Sequence, residues 1–463
     1  MDYDLIIIGS GPGGYVAAIR AAQLKMKVGV IERAELGGIC LNWGCIPTKA
    51  LLKSAQVFEY INRSAEFGIK IEGGIKPDFG SIISRSRSIA DGMSRGVQFL
   101  FRKNKIDHIK GFGRLAGADK VEVELEGGGK KIFTAGNIIV ATGARSKELP
   151  NLRQDGVRII GYREAMTLPK LPESMVVVGS GAIGSEFACF YQTMGTNVIL
   201  VEFLPRVVPN EDEEVSKQLE RSFKKLRMRV LTDSTVESAD TSGDHCKVRI
   251  RTPKGEEIVD TEIVLSAVGV MPNTEGIGLE ETGVATDKGK IVVDDFYCTN
   301  VPGIFAIGDI VHGPALAHVA SAEGITCVEK IAGLNPDPVD YGNIPSCTYT
   351  TPEIASCGLT EAAAKEEGYD IKVGRFPFTA SGKASAAGAR EGFVKLIFDS
   401  AYGELLGAHM IGANVTEMIA EIIVARKLET TGHEIIKSMH PHPTMSEAIM
   451  EAAADAYGEV IHL

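Results

Sequence analysis

A repeat constrains this chain more than any other feature. Leu5-Ile6-Ile7-Ile8 runs into Gly9-Ser10-Gly11-Pro12-Gly13-Gly14, then a helical pattern from Tyr15 to about Leu24, then a strand from Val28 to Ile31 that ends at Glu32. Met175-Val176-Val177-Val178 runs into Gly179-Ser180-Gly181-Ala182-Ile183-Gly184, a second helix, and the strand Val198 to Val201, which ends at Glu202. In both copies the acid stands 23 positions after the first glycine. A short β-branched run of this kind belongs in the middle of a parallel sheet. The glycines allow close backbone approach to a pyrophosphate at a helix N-terminus, and the acid accepts hydrogen bonds from ribose hydroxyls. The fold expected is therefore α/β, with two Rossmann-like domains and two dinucleotides. Gly9, Gly11, Gly14 and Glu32 form the first site, and Gly179, Gly181, Gly184 and Glu202 the second. The charge of Glu202 would repel a 2′-phosphate, which favours NAD over NADP, although Arg206 stands four residues on.

Between the copies, directly after the first, lies Gly37-Gly38-Ile39-Cys40-Leu41-Asn42-Trp43-Gly44-Cys45-Ile46-Pro47-Thr48-Lys49. Residues five apart in a regular helix are separated by about 7.5 Å along its axis. A bond between Cys40 and Cys45 needs a distorted backbone, because bridged cysteines keep their Cα atoms within roughly 7 Å. The glycines at 37, 38 and 44 permit one. As a staple, a six-residue ring would contribute only about 2 kcal/mol before strain is subtracted. A strained pair beside a cofactor is better suited to chemistry, as a disulfide that opens and closes during turnover.

The remaining composition narrows the class. At 463 residues the chain is too long for one core. A net charge of −11 with no basic stripe argues against nucleic acid. Six further cysteines, at 189, 246, 298, 327, 347 and 357, give neither a zinc-type pair nor a secreted disulfide framework, so no metal is expected. No apolar run approaches the ~20 residues of a membrane span. The chain enters a strand straight after Met1-Asp2-Tyr3-Asp4, so the expected compartment is the cytoplasm, with a processed organellar-matrix form as the alternative.

Taken in order, Ala50 to about Arg102 reads as helical, interrupted at Gly73-Gly74. Lys110 to Phe133 alternates as strands around a turn at Gly127-Gly128-Gly129, and Ile138-Ile139-Val140 is a separate strand running into Ala141-Thr142-Gly143. Gly303-Ile304-Phe305-Ala306-Ile307-Gly308-Asp309 reads as a strand ending in an exposed acid, Asp309, placed for polyol hydroxyls; a helix cap is the competing reading. A helix near Leu316-Ala317-His318 would present a positive N-terminal end. From Ile344 the pattern becomes α+β, with strands at Phe393 to Phe398 and Leu405 to Ile411 and helices from about Asn414 and Thr444. Within it, two prolines frame two histidines in His440-Pro441-His442-Pro443-Thr444-Met445-Ser446-Glu447. Alone, His442 and Glu447 would pass for a surface pair; the need for a base near a reactive thiol favours function. The expected divisions are 1–148 for a first dinucleotide domain, 149–270 for the second, 271–343 for completion of the first, and 344–463 for an interface domain.

With these motifs in this order, the sequence resembles the FAD-dependent pyridine nucleotide–disulfide oxidoreductases of class I, from Asp4 almost to the end of the chain. The resemblance is to the branch that oxidises protein-bound dihydrolipoamide. It implies FAD on the first fingerprint and Glu32, with Gly113, Thr142, Gly143, Asp309 and Ala317 as further contacts. It implies NAD on Gly179, Gly181, Gly184, Glu202, Val236 and Gly269. Lys49, paired with Glu186, would lie beside the flavin. Cys40 would be the interchange thiol and Cys45 the charge-transfer thiol, with His442 as base, oriented by Glu447 and supplied by the other subunit of a homodimer. The implied partners are the lipoyl domains and core of a 2-oxoacid dehydrogenase or glycine cleavage complex. Trp43 and Thr48 stand where the motif commonly has a smaller aliphatic residue and serine, and Val270-Met271 where basic residues are frequent.

Three other readings compete. A mercuric-type reductase would carry a cysteine pair near the C-terminus, whereas the last cysteine here is Cys357. A glutathione-type enzyme would favour NADP, against Glu202. A scaffold or redox sensor without turnover would not need Cys40, Cys45, Lys49, His442 and Glu447 together.

Overall fold

The computed structural model describes residues 1–463, which form two compact units. One comprises Met1–Ala50, Ser81–Lys147 and Val270–Tyr341; the other comprises Leu51–Gly80, Glu148–Gly269 and Gly342–Leu463.

The first unit is built on β1 (Tyr3–Ile8), α1 (Pro12–Gln23) and β2 (Val28–Glu32). Its parallel sheet runs β3 (Asp107–Gly117), β2, β1, β5 (Lys130–Val140) and the strand Ile304–Ala306. Leu5, Ile6 and Ile7 have no solvent exposure, as a strand covered on both faces requires. The helix Ala317–Ile331 packs against α1: a Cβ at Gly324 would stand 2.8 Å from the Gly13 carbonyl oxygen, so the approach depends on the missing side chain. β3 leaves the parallel sheet after Lys110 and pairs antiparallel with β4 (Lys120–Leu125), which pairs in turn with β5. The sequence divides β5 into two strands; the structure has one. Ala135 and Asn137 look like a break, yet they pair in register with Tyr3 and Leu5 of β1, and those ladder hydrogen bonds override weak strand propensity.

The cysteine segment forms α2 (Gly38–Trp43) and the start of α3 (Cys45–Asn62), and α4 (Phe79–Lys103) follows. The helical reading from Ala50 therefore starts five residues late, and the interruption spans residues 63–78 rather than the two glycines alone.

The second unit repeats the first design. Its five-stranded parallel sheet is ordered Arg229–Leu231, Asn197–Val201, Ser174–Val178, Ile263–Ser266 and Ile159–Ile160, with the helix Ala182–Met194 after the third of these. A second sheet, antiparallel, runs Ser346–Thr348, Glu353–Gly358, Leu405–Gly412, Phe393–Asp399 and Ile371–Pro377. The helices Val415–Lys427, Gly432–Lys437 and Glu447–Ala456 follow. The last packs on the edge strand so closely that a Cβ at Gly374 would lie 1.8 Å from the Ala452 carbonyl oxygen. This helix begins at Glu447 rather than Thr444, because Pro443 and Thr444 stay in the preceding turn. No helix is long and apolar enough to cross a membrane.

Candidate active site

The two fingerprints have the same geometry. Gly9 and Gly179 adopt φ of +105° and +97°, where a Cβ would lie 2.2 Å from the Ala141 carbonyl oxygen and 2.5 Å from that of Ala267. At Gly14 and Gly184 a Cβ would stand 2.0 and 1.9 Å from the carbonyl oxygens of Gly9 and Gly179, so each helix can seat on its turn only through glycine. Gly11 and Gly181, by contrast, have nothing within 4 Å of a would-be Cβ, and neither helix N-terminus carries a side-chain cap. Uncapped N–H groups facing open space suit an anion such as a pyrophosphate. Glu32 accepts from Ser10 N (3.0 Å) and Oγ (2.8 Å), and Glu202 from Ser180 N and Oγ (both 2.7 Å). The serine is the one polar group the repeat shares inside the glycine motif, a signal that sequence reading passed over. Arg206 is turned to the Pro209 carbonyl, which accepts from its Nη2 at 3.0 Å and its Nε at 3.2 Å.

In the first unit, α2 begins at Gly37 and Gly38, with φ of +96° and +60°. A Cβ at Gly38 would come 2.7 Å from Gly11 Cα, so the cysteine helix starts directly on the first fingerprint. α2 ends at Trp43, the chain breaks at Gly44, and α3 opens at Cys45. That break supplies the distortion expected for the pair: Cys40 and Cys45 are half-buried and their side chains are hydrogen-bonded to each other. The bond to Cys45, burial and the charge of Cys45 push the Cys40 thiol far above its ordinary range, and the ammonium of Lys49 opposes them. Lys49 lies on the first turns of α3, half-buried.

The other residues expected for the first cradle lie within or just after neighbouring strands. Thr142 Oγ1 donates to the Asn273 carbonyl at 2.7 Å and Asn273 returns a bond to the Thr142 carbonyl at 3.0 Å, which leaves Gly143 at φ +67° with open space beside it. Gly113 is packed against Ile31 and Ile8, which explains its lack of a side chain. Asp309 departs from expectation. It is half-buried rather than exposed, and it sits inside the short turn Gly308–Ile310 rather than capping a helix. Burial raises its pKa against the pull of Lys290. Ala317 is the first residue of the helix that follows. Behind this turn lies a group that sequence reading did not single out. Glu323 is buried, accepts from Gly308 N and from Tyr341 Oη, both at 2.6 Å, and is pushed up to about 7, chiefly by burial.

In the second unit, Glu186 is buried on the helix after the second fingerprint and accepts from Tyr349 N at 2.9 Å. Val236 is buried in the strand Thr235–Asp240, and Gly269 takes φ +108° with open space around it. His442 Nδ1 donates to Glu447 Oε1 at 2.8 Å, and Thr444 N donates to Glu447 Oε2 at the same distance. Burial raises the Glu447 carboxyl, but those two bonds outweigh it and hold the group below its usual range. His440 donates from both ring nitrogens, to Ser438 O at 2.9 Å and Glu421 Oε1 at 2.7 Å, and the bond to Glu421 is the main cause that raises its pKa.

Residues 3–324 match the family described as pyridine nucleotide-disulphide oxidoreductase, and residues 344–453 match that family's dimerisation domain. The chain belongs to the pyridine nucleotide-disulphide oxidoreductases. The family and the α/β fold expected from the sequence are both borne out. Proteins named dihydrolipoyl dehydrogenase from Rhizobium etli and Zymomonas mobilis are each 48% identical to this oxidoreductase, with 99% of both chains covered. The solved structure of LpdA from Mycobacterium tuberculosis has a TM-score of 0.90 at 28% identity, covering 97% of this chain and 98% of its own. A flavoprotein disulfide reductase from Escherichia coli, RclA, has a TM-score of 0.87 at 24% identity and shares the fold.

Proposed function

We propose that this oxidoreductase converts protein-bound dihydrolipoamide to lipoamide and passes the electrons to NAD. The observation that carries the reading is the contact of Cys45 with Cys40, which lies on a helix that begins against Gly11 of the first fingerprint. The names of the full-length relatives support the choice of dithiol.

Gly9, Gly11, Gly14 and Glu32, with Gly113, Thr142, Gly143, Asp309 and Ala317, would hold FAD; Gly179, Gly181, Gly184, Glu202, Val236 and Gly269 would hold NAD. Bound FAD would supply two-electron acceptance from the cysteine pair and hydride exchange with NAD. The thiol chemistry belongs to the chain. A dihydrolipoyl thiolate attacks Cys40 of the oxidised pair and releases Cys45 as thiolate. The second dihydrolipoyl thiolate then attacks the sulfur bound to Cys40, which closes the lipoyl ring and frees Cys40. His442 takes the proton from the attacking thiol, since only the thiolate is nucleophilic, and Glu447 holds the ring for that task. Lys49 and Glu186 act as supporting charges. The dimerisation domain supports a homodimer, and in this reading His442 is supplied across its interface. The larger partners in this reading are lipoyl domains and the core of a 2-oxoacid dehydrogenase or glycine cleavage complex.

Addition of NADH to the purified yellow protein tests the proposal. Reduction should produce a long-wavelength thiolate-to-flavin band, and dihydrolipoamide with NAD should be turned over. A protein that shows neither is not this enzyme, and one that turns over only another disulfide has a different substrate.

A further inference from the structure

Three consecutive residues of α4 hold the cysteine segment by its backbone. Arg85 Nη1 donates to the Ala50 carbonyl at 2.9 Å, Ser86 Oγ to the Pro47 carbonyl at 3.0 Å, and Arg87 Nη2 to the Asn42 carbonyl at 2.6 Å. These acceptors lie on both sides of Cys45: Asn42 sits between the two cysteines, and Pro47 and Ala50 lie beyond the second. The last carbonyls of a helix have no partner within it, so the end of a six-residue α2 needs an outside donor, and Arg87 supplies it.

Arg87 does more than cap. Its Cζ stands 4.4 Å over the ring of Trp43, and Trp43 Nε1 is 3.4 Å from Glu35 Oε2. Asn42, itself buried, donates to the carbonyls of Leu36 (2.9 Å) and Gly38 (3.0 Å), which ties down the other end of the short helix. Arg87 Nε is buried without a partner, a cost that a merely decorative arginine would not carry. Trp43, the residue at which this chain departs from the commoner small aliphatic, thus has a use as the face on which the guanidinium rests.

We propose that the Arg85-Ser86-Arg87 triplet, with Arg87 clamping Asn42 and Trp43, is a positioning device that holds the sulfurs of Cys40 and Cys45 within bonding reach while both are reduced. The inference rests on the reading of these two cysteines as the redox pair, and adds to it residues that act through the backbone around them. Its consequence is thermodynamic. Closure of a disulfide between two held thiols depends on the effective concentration of one at the other, which falls as the backbone between them loosens.

The test equilibrates the purified holoenzyme, without oxygen or NADH, against glutathione in graded ratios of thiol to disulfide. In the step measured, Cys40 and Cys45 are oxidised to their disulfide, one glutathione disulfide is reduced to two glutathione thiols, and the two cysteine protons pass to those thiols. Acid quenching, alkylation and mass spectrometry of the peptide carrying both cysteines give the equilibrium constant. Arg87→Met should lower it about tenfold, equivalent to about 30 mV for a two-electron couple. Ser86→Ala should lower it by a smaller factor, and Arg87→Lys should recover part of the loss. A purely structural role would lower the melting temperature and leave the constant within twofold of the parent, and that result overturns the proposal. If Arg87→Met does not fold, Ser86→Ala decides alone, by the same twofold criterion. If the parent protein forms no Cys40–Cys45 disulfide at any ratio, the redox-pair reading itself has failed.

Discussion

The bond from His442 Nδ1 to Glu447 Oε1, 2.8 Å long, determines which ring nitrogen is basic. With Nδ1 committed as donor, Nε2 of the neutral ring is left as the acceptor, on a side chain that is 80% exposed. The second carboxylate oxygen is engaged by Thr444 N, so the orienting group cannot swing away without breaking a second bond.

On the proposed role of His442 as base, its replacement should separate the two halves of the reaction. In His442→Gln, oxidation of dihydrolipoamide should slow by roughly 10²–10⁴-fold, the usual contribution of general base catalysis, while reduction by NADH followed in a stopped-flow spectrometer stays near the parent rate. Glu447→Gln should cause a smaller loss in the same direction. Equal losses in both half-reactions would remove His442 from the role of base.

How much of this was legible in the sequence depends on whether a function is carried by spacing or by contact. The two cradles were legible because glycine is required at fixed offsets: Gly14 and Gly184 have no room for a Cβ, and the motif records that directly. The helix break between Cys40 and Cys45 was legible for the same reason, through the glycines that flank it. Asp309 was read as an exposed acid at a strand end, whereas it is half-buried in the turn after Ile304–Ala306, close enough to feel the charge of Lys290. Glu323, Tyr341 and the Arg85-Ser86-Arg87 triplet were invisible. Glu323 accepts from the backbone N–H of Gly308, Tyr341 donates to Glu323, and the triplet donates to backbone carbonyls some forty residues away; partners met only through folding leave no trace in residue type. The continuity of β5 through Ala135-Gly136-Asn137 was likewise decided by pairing with β1 rather than by local propensity.

Glu323 supplies a pH dependence with a definite sign. Burial is the main cause that pushes its carboxyl up to about 7; Tyr341 Oη and Gly308 N act the other way, and Asp309 adds to the rise. A carboxyl raised on folding favours its protonated form in the native state. Its contribution to stability is complete below the ordinary pKa, near 4.5, and is lost as pH rises through about 7. In thermal unfolding, Glu323→Gln should keep an acceptor for Gly308 N yet flatten the decline between these values. The variant should melt about 2 °C or more above the parent at pH 8, relative to their difference at pH 5. An unchanged pH profile would show that Glu323 does not titrate in this range.

The last prediction concerns a charge cluster within the second unit. Lys395, on the strand Phe393–Asp399, is 2% exposed, and its Nζ lies 3.0 Å from Asp212 Oδ1 and 2.8 Å from both Glu214 Oε1 and Glu361 Oε2. Asp212 also caps the helix Glu213–Lys225 by accepting from Glu214 N, and Arg375 bonds Glu214 and Glu361 from the neighbouring strand. A buried ion pair adds little over an apolar replacement of both partners, but removal of one partner leaves its charge uncompensated at a cost of about 3–5 kcal/mol. Lys395→Met should therefore destabilise the second unit by about that amount at pH 7, and Asp212→Asn added to it should recover part of the loss. Acid should act on the same contacts. Burial raises the Glu361 carboxyl, but Lys365, Lys395 and Arg375 outweigh it and bring the group to about 2. Its contribution is present above the ordinary value near 4.5 and is lost as pH falls toward 2. Denaturant melts at pH 7 and pH 3 should show the parent losing more stability than Lys395→Met over this interval, because the variant has already lost the cation that holds Glu361 ionised. A variant with the parent's full acid dependence would mean that Lys395 is not what lowers the Glu361 carboxyl.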